Sequence, residues 1–307
     1  MKKIVQNISK IVLIGIIIIG FYLMQDNKEE INNSNIDSYQ KQEELNQNSD
    51  QIEIYYFDVG EADATFIRYK NYNFLIDAGN TVDGKNIVKY LKELGIDHFN
   101  SVYATHAHED HIGGMHWIIY KFPVEHFYMP NHKAEWKSYE NLMNALQEKK
   151  IEVEEPIVNQ EIIYDDLKMM VLWVGHDPED YNENSIILKI NYKNTSYLFM
   201  ADAEESVEHE ILNKDIKSDV LKVGHHGSKY ATTANFLYQV DPKYAIISVG
   251  KDNEYGHPHQ VTLDKLNKMN IKIYRTDQDH TIHLISDGEI IEIDTIKTNL
   301  NGGDLNH

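Results

Sequence analysis

Three imidazoles, His106, His108 and His111, fall within six residues of one another, with Asp110 among them, in the run Thr105-His106-Ala107-His108-Glu109-Asp110-His111-Ile112-Gly113-Gly114. Imidazole nitrogens and carboxylate oxygens are the donors that zinc and its first-row neighbours prefer, so this run reads as a metal site. His106 and His108 are two apart and share a side of an extended segment. Asp110 and His111 follow once the chain has turned, which offers a second ligand pair beside the first. In a chain with 16 His among 307 residues the competing explanation is a chance His-rich surface loop. The other motifs weigh against it.

Those motifs are Phe57-Asp58-Val59-Gly60-Glu61-Ala62-Asp63-Ala64, Leu75-Ile76-Asp77-Ala78-Gly79, Asp202 within Phe199-Met200-Ala201-Asp202-Ala203-Glu204, and Leu221-Lys222-Val223-Gly224-His225-His226-Gly227-Ser228. Tyr255-Gly256-His257-Pro258-His259 and Arg275-Thr276-Asp277 follow. In this order, with HxHxDH, they resemble the metallo-β-lactamase superfamily, and within it the soluble hydrolase domain of ComEC-like DNA-uptake competence proteins, from about Ile52 to about Ile293. The resemblance implies a four-layer αββα sandwich and two divalent metal ions, zinc or manganese. His106 and His108 would hold the first metal, Asp110 and His111 the second, and Asp202 would bridge them. The remaining ligand would be His225 or His226. His225 is preferred as the first residue past the strand Val220–Val223 and its glycine, which leaves His226 near the leaving group.

Asp110, His226 and Ser228 are the expected catalytic residues, with Ser228 helping to stabilise developing oxyanions. Asp77 would orient a ligand histidine through its other ring nitrogen. Asp58 and Asp63 are candidates for similar service or simple turn formers, and His257 and His259 for a substrate-side role or a structural loop. Many superfamily members carry a further histidine before the bridging Asp, where this chain reads Asn184-Ser185 as the ComEC-like branch does. His176, the nearest histidine upstream, is the substitute to consider, although an exposed loop position suits it better. The first site is therefore expected to be under-coordinated, weakly occupied or filled by manganese. Two metals roughly 3.5–4 Å apart would bring a bridging water's pKa from 15.7 to about 7, and the resulting hydroxide would attack phosphorus in line. No nucleophilic side chain is needed, and neither Cys nor GxSxG is present.

Short β-branched or apolar runs closed by Gly, Asn or Asp predict strands that must position these groups: Ile52–Phe57, Thr65–Tyr69, Phe74–Asp77 and Ser101–Thr105. Helical spacing marks 86–94, 115–120 and 136–149. A second set of strands at 169–174, 185–190, 197–200, 220–223 and 245–249 alternates with helices at 204–212, 233–240 and 261–269. Strands at 271–274, 281–285 and 289–293 close the chain. Two β-rich halves, each with helices, suit the sandwich.

The absence of cysteine removes disulfides, thiolate metal sites and an N-terminal lipidated Cys. A formal charge of −20 opposes non-specific nucleic-acid binding, which needs a basic surface, but not a hydrolase whose metals hold one phosphate. Lys2, Lys3 and Lys10 precede an apolar run, Ile11–Met24, with Asp26, Glu29 and Glu30 beyond it, a charge order that points the C-terminal side outward. Residues 1–24 are read as a signal anchor, with a cleaved signal peptide and a secreted product as the alternative. Residues 25–51 form a polar tether too poor in apolar groups to fold, residues 52–295 the hydrolase domain, and residues 296–307 a flexible tail. The expected function is that of a membrane-anchored, extracellular phosphodiesterase or nuclease. A cell-envelope phosphodiesterase similar to phosphorylcholine esterases is the alternative, and a non-catalytic binding module the third reading.

Overall fold

The computed structural model describes residues 50–177, 179–298 and 300. The apolar run Ile11–Met24 lies outside them, and among the described residues no helix is long and apolar enough to cross a membrane.

The first half runs β1 (Ile52–Tyr56), β2 (Thr65–Tyr69), β3 (Tyr72–Ile76), α1 (Gly84–Glu93), β4 (Phe99–Tyr103), α2 (Glu109–Ile112), α3 (Met115–Lys121), β5 (Val124–Tyr128), α4 (Lys137–Lys149) and β6 (Val153–Glu154). The second half runs β7 (Glu161–Tyr164), β8 (Leu167–Trp173), β9 (Ile187–Tyr192), β10 (Thr195–Phe199), α5 (Glu205–Ile211), β11 (Val220–Lys222), a 3-10 turn at His225–Gly227, α6 (Ala234–Val240), β12 (Tyr244–Ile247), α7 (Gln260–Lys268) and β13 (Lys272–Arg275). A short α8 (Thr276–Asp279) leads into β14 (Thr281–Ser286) and β15 (Ile291–Ile296). One sheet has the order β15-β14-β1-β2-β3-β4-β5-β6 and the other β13-β12-β11-β10-β9-β8-β7. The closing hairpin thus returns to the first sheet, with Ile54 opposite Leu284, so the halves are not strictly sequential.

Alternation along the strands builds the four layers. Ile54, Tyr56, Ile67, Tyr69 and Phe74 meet Leu188, Ile190, Tyr197 and Phe199 in a cluster between the sheets. Their neighbours Tyr55, Phe66 and Leu75 face the other way, onto Ile87 and Leu91 of α1, Ile118 of α3 and Leu142 of α4. Leu198, Leu221 and Ala245 likewise pack under Val207, Phe236, Leu237 and Leu266 of the helices on the far side. Successive strand side chains point to opposite faces, so strands buried on both faces require helices outside and a second sheet inside. This is the αββα sandwich.

Strands β5, β6 and β7 carry exposed positions and charged residues, and a hydrophobic pattern does not find them. The C-terminal boundary shifts as well. Leu300 is buried, its N–H donates to the Asp58 carbonyl at 3.2 Å, and its own carbonyl accepts from Asn86. The packed chain therefore extends at least to Leu300, past the expected boundary at 295.

One buried polar knot lies on the helix side of the first sheet. Arg68 holds the Glu53 carboxylate through Nε at 3.2 Å and Nη2 at 2.8 Å, while Tyr55 donates to Glu53 at 2.8 Å and His283 Nε2 lies 3.1 Å away. Burial would raise the Glu53 pKa, but His283, Arg68 and Tyr55 outweigh it and bring it down to about 2. A depressed carboxyl stabilises the fold fully above its unfolded value near 4.5, and this stability is lost as pH falls toward 2. Arg68→Met is expected to cost about 3–5 kcal/mol by stranding a buried charge. It should also move acid unfolding to higher pH, as chemical denaturation across pH 3–7 would read.

Candidate metal centre

The expected ligands converge at the C-terminal ends of neighbouring parallel strands, β3 with β4 and β10 with β11, the edge where open α/β sheets bind ligands. β4 ends at Tyr103, so Thr105 to His108 form a loop beyond it, and α2 then turns Asp110 and His111 back toward the sheet. Glycine makes this possible. A Cβ on Gly114 would lie 2.1 Å from the Ala78 carbonyl, so only glycine lets this segment close on the loop after β3.

Two donor groups that share Asp202 form there. Asp110, His111, Asp202 and His226 place one ligand atom each within 4.8 Å of one another, as do His106, His108 and Asp202. Asp202 belongs to both. His111 Nε2 lies 3.2 Å from Asp202 Oδ1, and both atoms are buried without a hydrogen-bond partner. Orphaned buried polar atoms are costly, and a cation among them would satisfy both. The donor set is all nitrogen and oxygen, which suits zinc, manganese or iron. The residues fit a pair of divalent ions.

Behind the ligands, Asp77 Oδ2 lies 2.8 Å from His111 Nδ1 and accepts from Thr105 Oγ1 at 2.7 Å, while Oδ1 accepts from the Thr105 N–H at 2.9 Å. His226 Nδ1 lies 2.9 Å from the Ser248 carbonyl, to which it donates, turning Nε2 toward Asp110 Oδ2 at 3.2 Å. Asp63 Oδ1 stands 3.6 Å from His226 Nδ1, and Lys222 Nζ donates to Asp63 Oδ2 at 2.8 Å, both side chains being buried. Electrostatics follow from this crowding. Burial would depress His111 and His226, but Asp202, with Asp77 and Asp110 at His111 and with Asp110 and Asp63 at His226, outweighs it. His111 is raised well above the ordinary histidine range and His226 to about 10. His106 goes the other way, lowered well below that range by burial and by His111.

The family model of the metallo-β-lactamase superfamily matches residues 57–251. The chain belongs to that superfamily. ComE operon protein 3 of Bacillus subtilis is 32% identical over 255 residues, 76% of this chain and 33% of that protein. Recombination protein 2 of Haemophilus influenzae is 28% identical over 71% of this chain and 27% of its own length. The chain thus spans a third or less of these relatives. The metallo-β-lactamase fold protein YhfI from Bacillus subtilis aligns over 73% of this chain and 95% of its own at 10% identity and a TM-score of 0.49. The resemblance to ComEC-like competence proteins holds, and the chain is a metallo-β-lactamase-fold hydrolase related to them.

Within this family member the structure gathers His106, His108, Asp110, His111 and Asp202 as the sequence leads one to expect. His226, not His225, enters the second donor group, because the left-handed turn at φ 46° and 51° swings the second ring inward. His225 stands at the rim, with Nδ1 2.8 Å from Glu204 and Nε2 3.8 Å from Asp202. Ser228 does not line the cavity. Its Oγ accepts from the Tyr230 N–H at 3.3 Å inside the turn, which removes the geometric basis for an oxyanion contact.

Asn184 is buried with its amide engaged by Asp177 and His132, and His176 is exposed beside Glu155. Neither joins the His106–His108–Asp202 group. Asp63 serves the site through His226, whereas Asp58 lies 3.6 Å from His280, just before β14. His257 lines the cavity and bonds Glu61 at 2.8 Å; His259 accepts from the Lys229 N–H outside it. Glu61, Glu204, Trp136 and Tyr255 are site residues the motifs do not single out. Asp77→Asn removes the anion behind His111, and metal affinity is expected to fall about 10- to 100-fold with the fold retained, measured by chelator competition.

Proposed function

We propose that the chain is a metal-dependent phosphodiesterase acting on nucleic acid, held with its catalytic domain outside the membrane by the segment Ile11–Met24. The observation that carries this reading is the pair of donor groups sharing Asp202 on the floor of a cavity of about 450 Å³. His106, His108 and Asp202 would hold one divalent ion, and Asp110, His111, Asp202 and His226 the other. Bound there, two such ions polarise phosphoryl oxygens and acidify water toward neutral pH.

The chain's own residues supply the rest. Asp77 and the Ser248 carbonyl each accept the proton on one ring nitrogen, which keeps Nε2 of His111 and of His226 turned to the cavity floor. Burial would lower the His225 pKa, but Glu204 and Asp202 raise it, and its ring stands at the rim, where a group near the leaving oxygen would lie. The names of the competence and recombination relatives favour nucleic acid over an envelope polymer. With a formal charge of −20 the surface offers little phosphate attraction, so affinity must come from the cavity itself.

The test uses the full chain in detergent, loaded with zinc or with manganese. Bis(p-nitrophenyl) phosphate, single- and double-stranded DNA, RNA and p-nitrophenyl phosphorylcholine are assayed in parallel with Asp110→Ala as control. Nucleic-acid cleavage that disappears in the variant supports the reading. Cleavage of the phosphorylcholine ester alone would move the protein to envelope remodelling, and inactivity on every phosphodiester would sink the phosphodiesterase.

A further inference from the structure

The cavity over the donor groups carries an aromatic ring on each flank. On one side is Trp136, whose indole N–H donates to the Ala107 carbonyl at 2.6 Å and is thereby tied to the HxHxDH loop. Its ring lies 5.8 Å from His108 and 4.7 Å from Tyr181, which backs it and is itself anchored by a hydroxyl bond to the Lys133 carbonyl. On the other side is Tyr255, stacked on His257 at 5.6 Å and 17°. His257 is in turn pinned by Glu61 and lies 5.5 Å from His225. Tyr255 is 69% exposed although it lines the cavity.

The succession Trp136, His108, the shared Asp202, His225, His257, Tyr255 therefore places the metal positions between two aromatic faces. Trp136 is backed by Tyr181 and Tyr255 by His257. A phosphodiester has one esterified group on each side of phosphorus. A site with a flat ring on each flank is matched to a diester whose two substituents are both flat. Nucleobases have that shape, and stacking is sequence-tolerant because every base has a π-face. A quaternary ammonium instead calls for several rings converging on one point, whereas Trp136 and Tyr255 are reached through opposite sides of the donor groups.

We propose that Trp136 and Tyr255 form two base-stacking subsites, one on each side of the scissile phosphate, so that the chain engages unpaired nucleotides and not a paired duplex. The assignment deepens the phosphodiesterase reading and rests on it for the scissile phosphate. It also explains how an acidic protein could hold a polyanion, through the bases and one metal-bound phosphate.

The experiment compares a short single-stranded oligodeoxynucleotide with one of equal length and charge built from abasic residues, using the full chain loaded with manganese. Fluorescence anisotropy reads binding without turnover, and cleavage is followed alongside. The base-containing oligonucleotide is expected to bind about tenfold or more tightly than the abasic one. Trp136→Ala and Tyr255→Ala should each shrink that ratio toward one, and Tyr255→Phe should restore it. Equal binding of the two oligonucleotides, or a ratio untouched by both alanine variants, overturns the subsites. Preference for bases without cleavage of any phosphodiester keeps the subsites and overturns the phosphodiesterase.

Discussion

Asp202→Asn is expected to reduce metal-dependent turnover by about 10³-fold or more, the several kcal/mol that Lewis-acid stabilisation supplies, while leaving the fold intact. Asp202 is the residue common to both donor groups, so a single oxygen-to-nitrogen exchange weakens both positions at once. Burial alone would raise its pKa, but His111 and His226 outweigh that and hold it well below the carboxylate range. It is an anion in a pocket already crowded with Asp63, Asp77 and Asp110. Removing one anion from this cluster leaves the charges on His111 and His226 less well balanced, so the metal-free variant should melt lower than the metal-free parent while still folding. The added stability that saturating metal gives the parent should shrink in the variant, because it follows from binding to the folded state. Parallel measurements of kcat/KM and of melting with and without manganese decide it. Turnover like the parent's would show that Asp202 does not link the two positions.

The site residues that sequence singles out and the structure brings together are those whose chemistry is local. HxHxDH places three rings and a carboxylate within two turns of chain, and no distant contact is needed to see donors there. Asp77 and Asp202 become legible as strand-end carboxylates within an ordered set of motifs. The choice between His225 and His226 is of another kind. It depends on two consecutive left-handed residues, and distance from the end of β11 says nothing about that. The place of Ser228 is hidden for the same reason, since the turn that carries His226 inward takes the serine hydroxyl into the turn itself. Glu61 and His257 are separated by 196 positions and meet only because the loops after β1 and β12 share one edge of the sandwich. The αββα layering is foreseeable from strands buried on both faces. The return of β14 and β15 to the first sheet, and the burial of Leu300, are tertiary choices with no local signature.

Metal binding is expected to release about two protons per chain near pH 7, because the histidines that would become ligands are protonated without a cation. In the chain without metal, the buried carboxylates around them raise His226 to about 10 and His111 well above the ordinary range. A divalent ion substitutes for those protons as the charge that balances the carboxylates. Apparent affinity should therefore rise with pH, about tenfold per unit for each proton displaced, through neutrality and toward pH 10. Stability carries the same signature with a definite sign. A histidine whose folded pKa lies above its unfolded value near 6.5 stabilises the metal-free fold fully below that pH, and the contribution fades as pH rises toward 10. The loaded chain has no such proton to lose, so the gap between loaded and chelated melting temperatures should widen from pH 6.5 to pH 9. Calorimetric titration in buffers of different ionisation enthalpy counts the protons directly. A count of zero at pH 7 would overturn the expectation that a cation displaces protons held by His111 and His226.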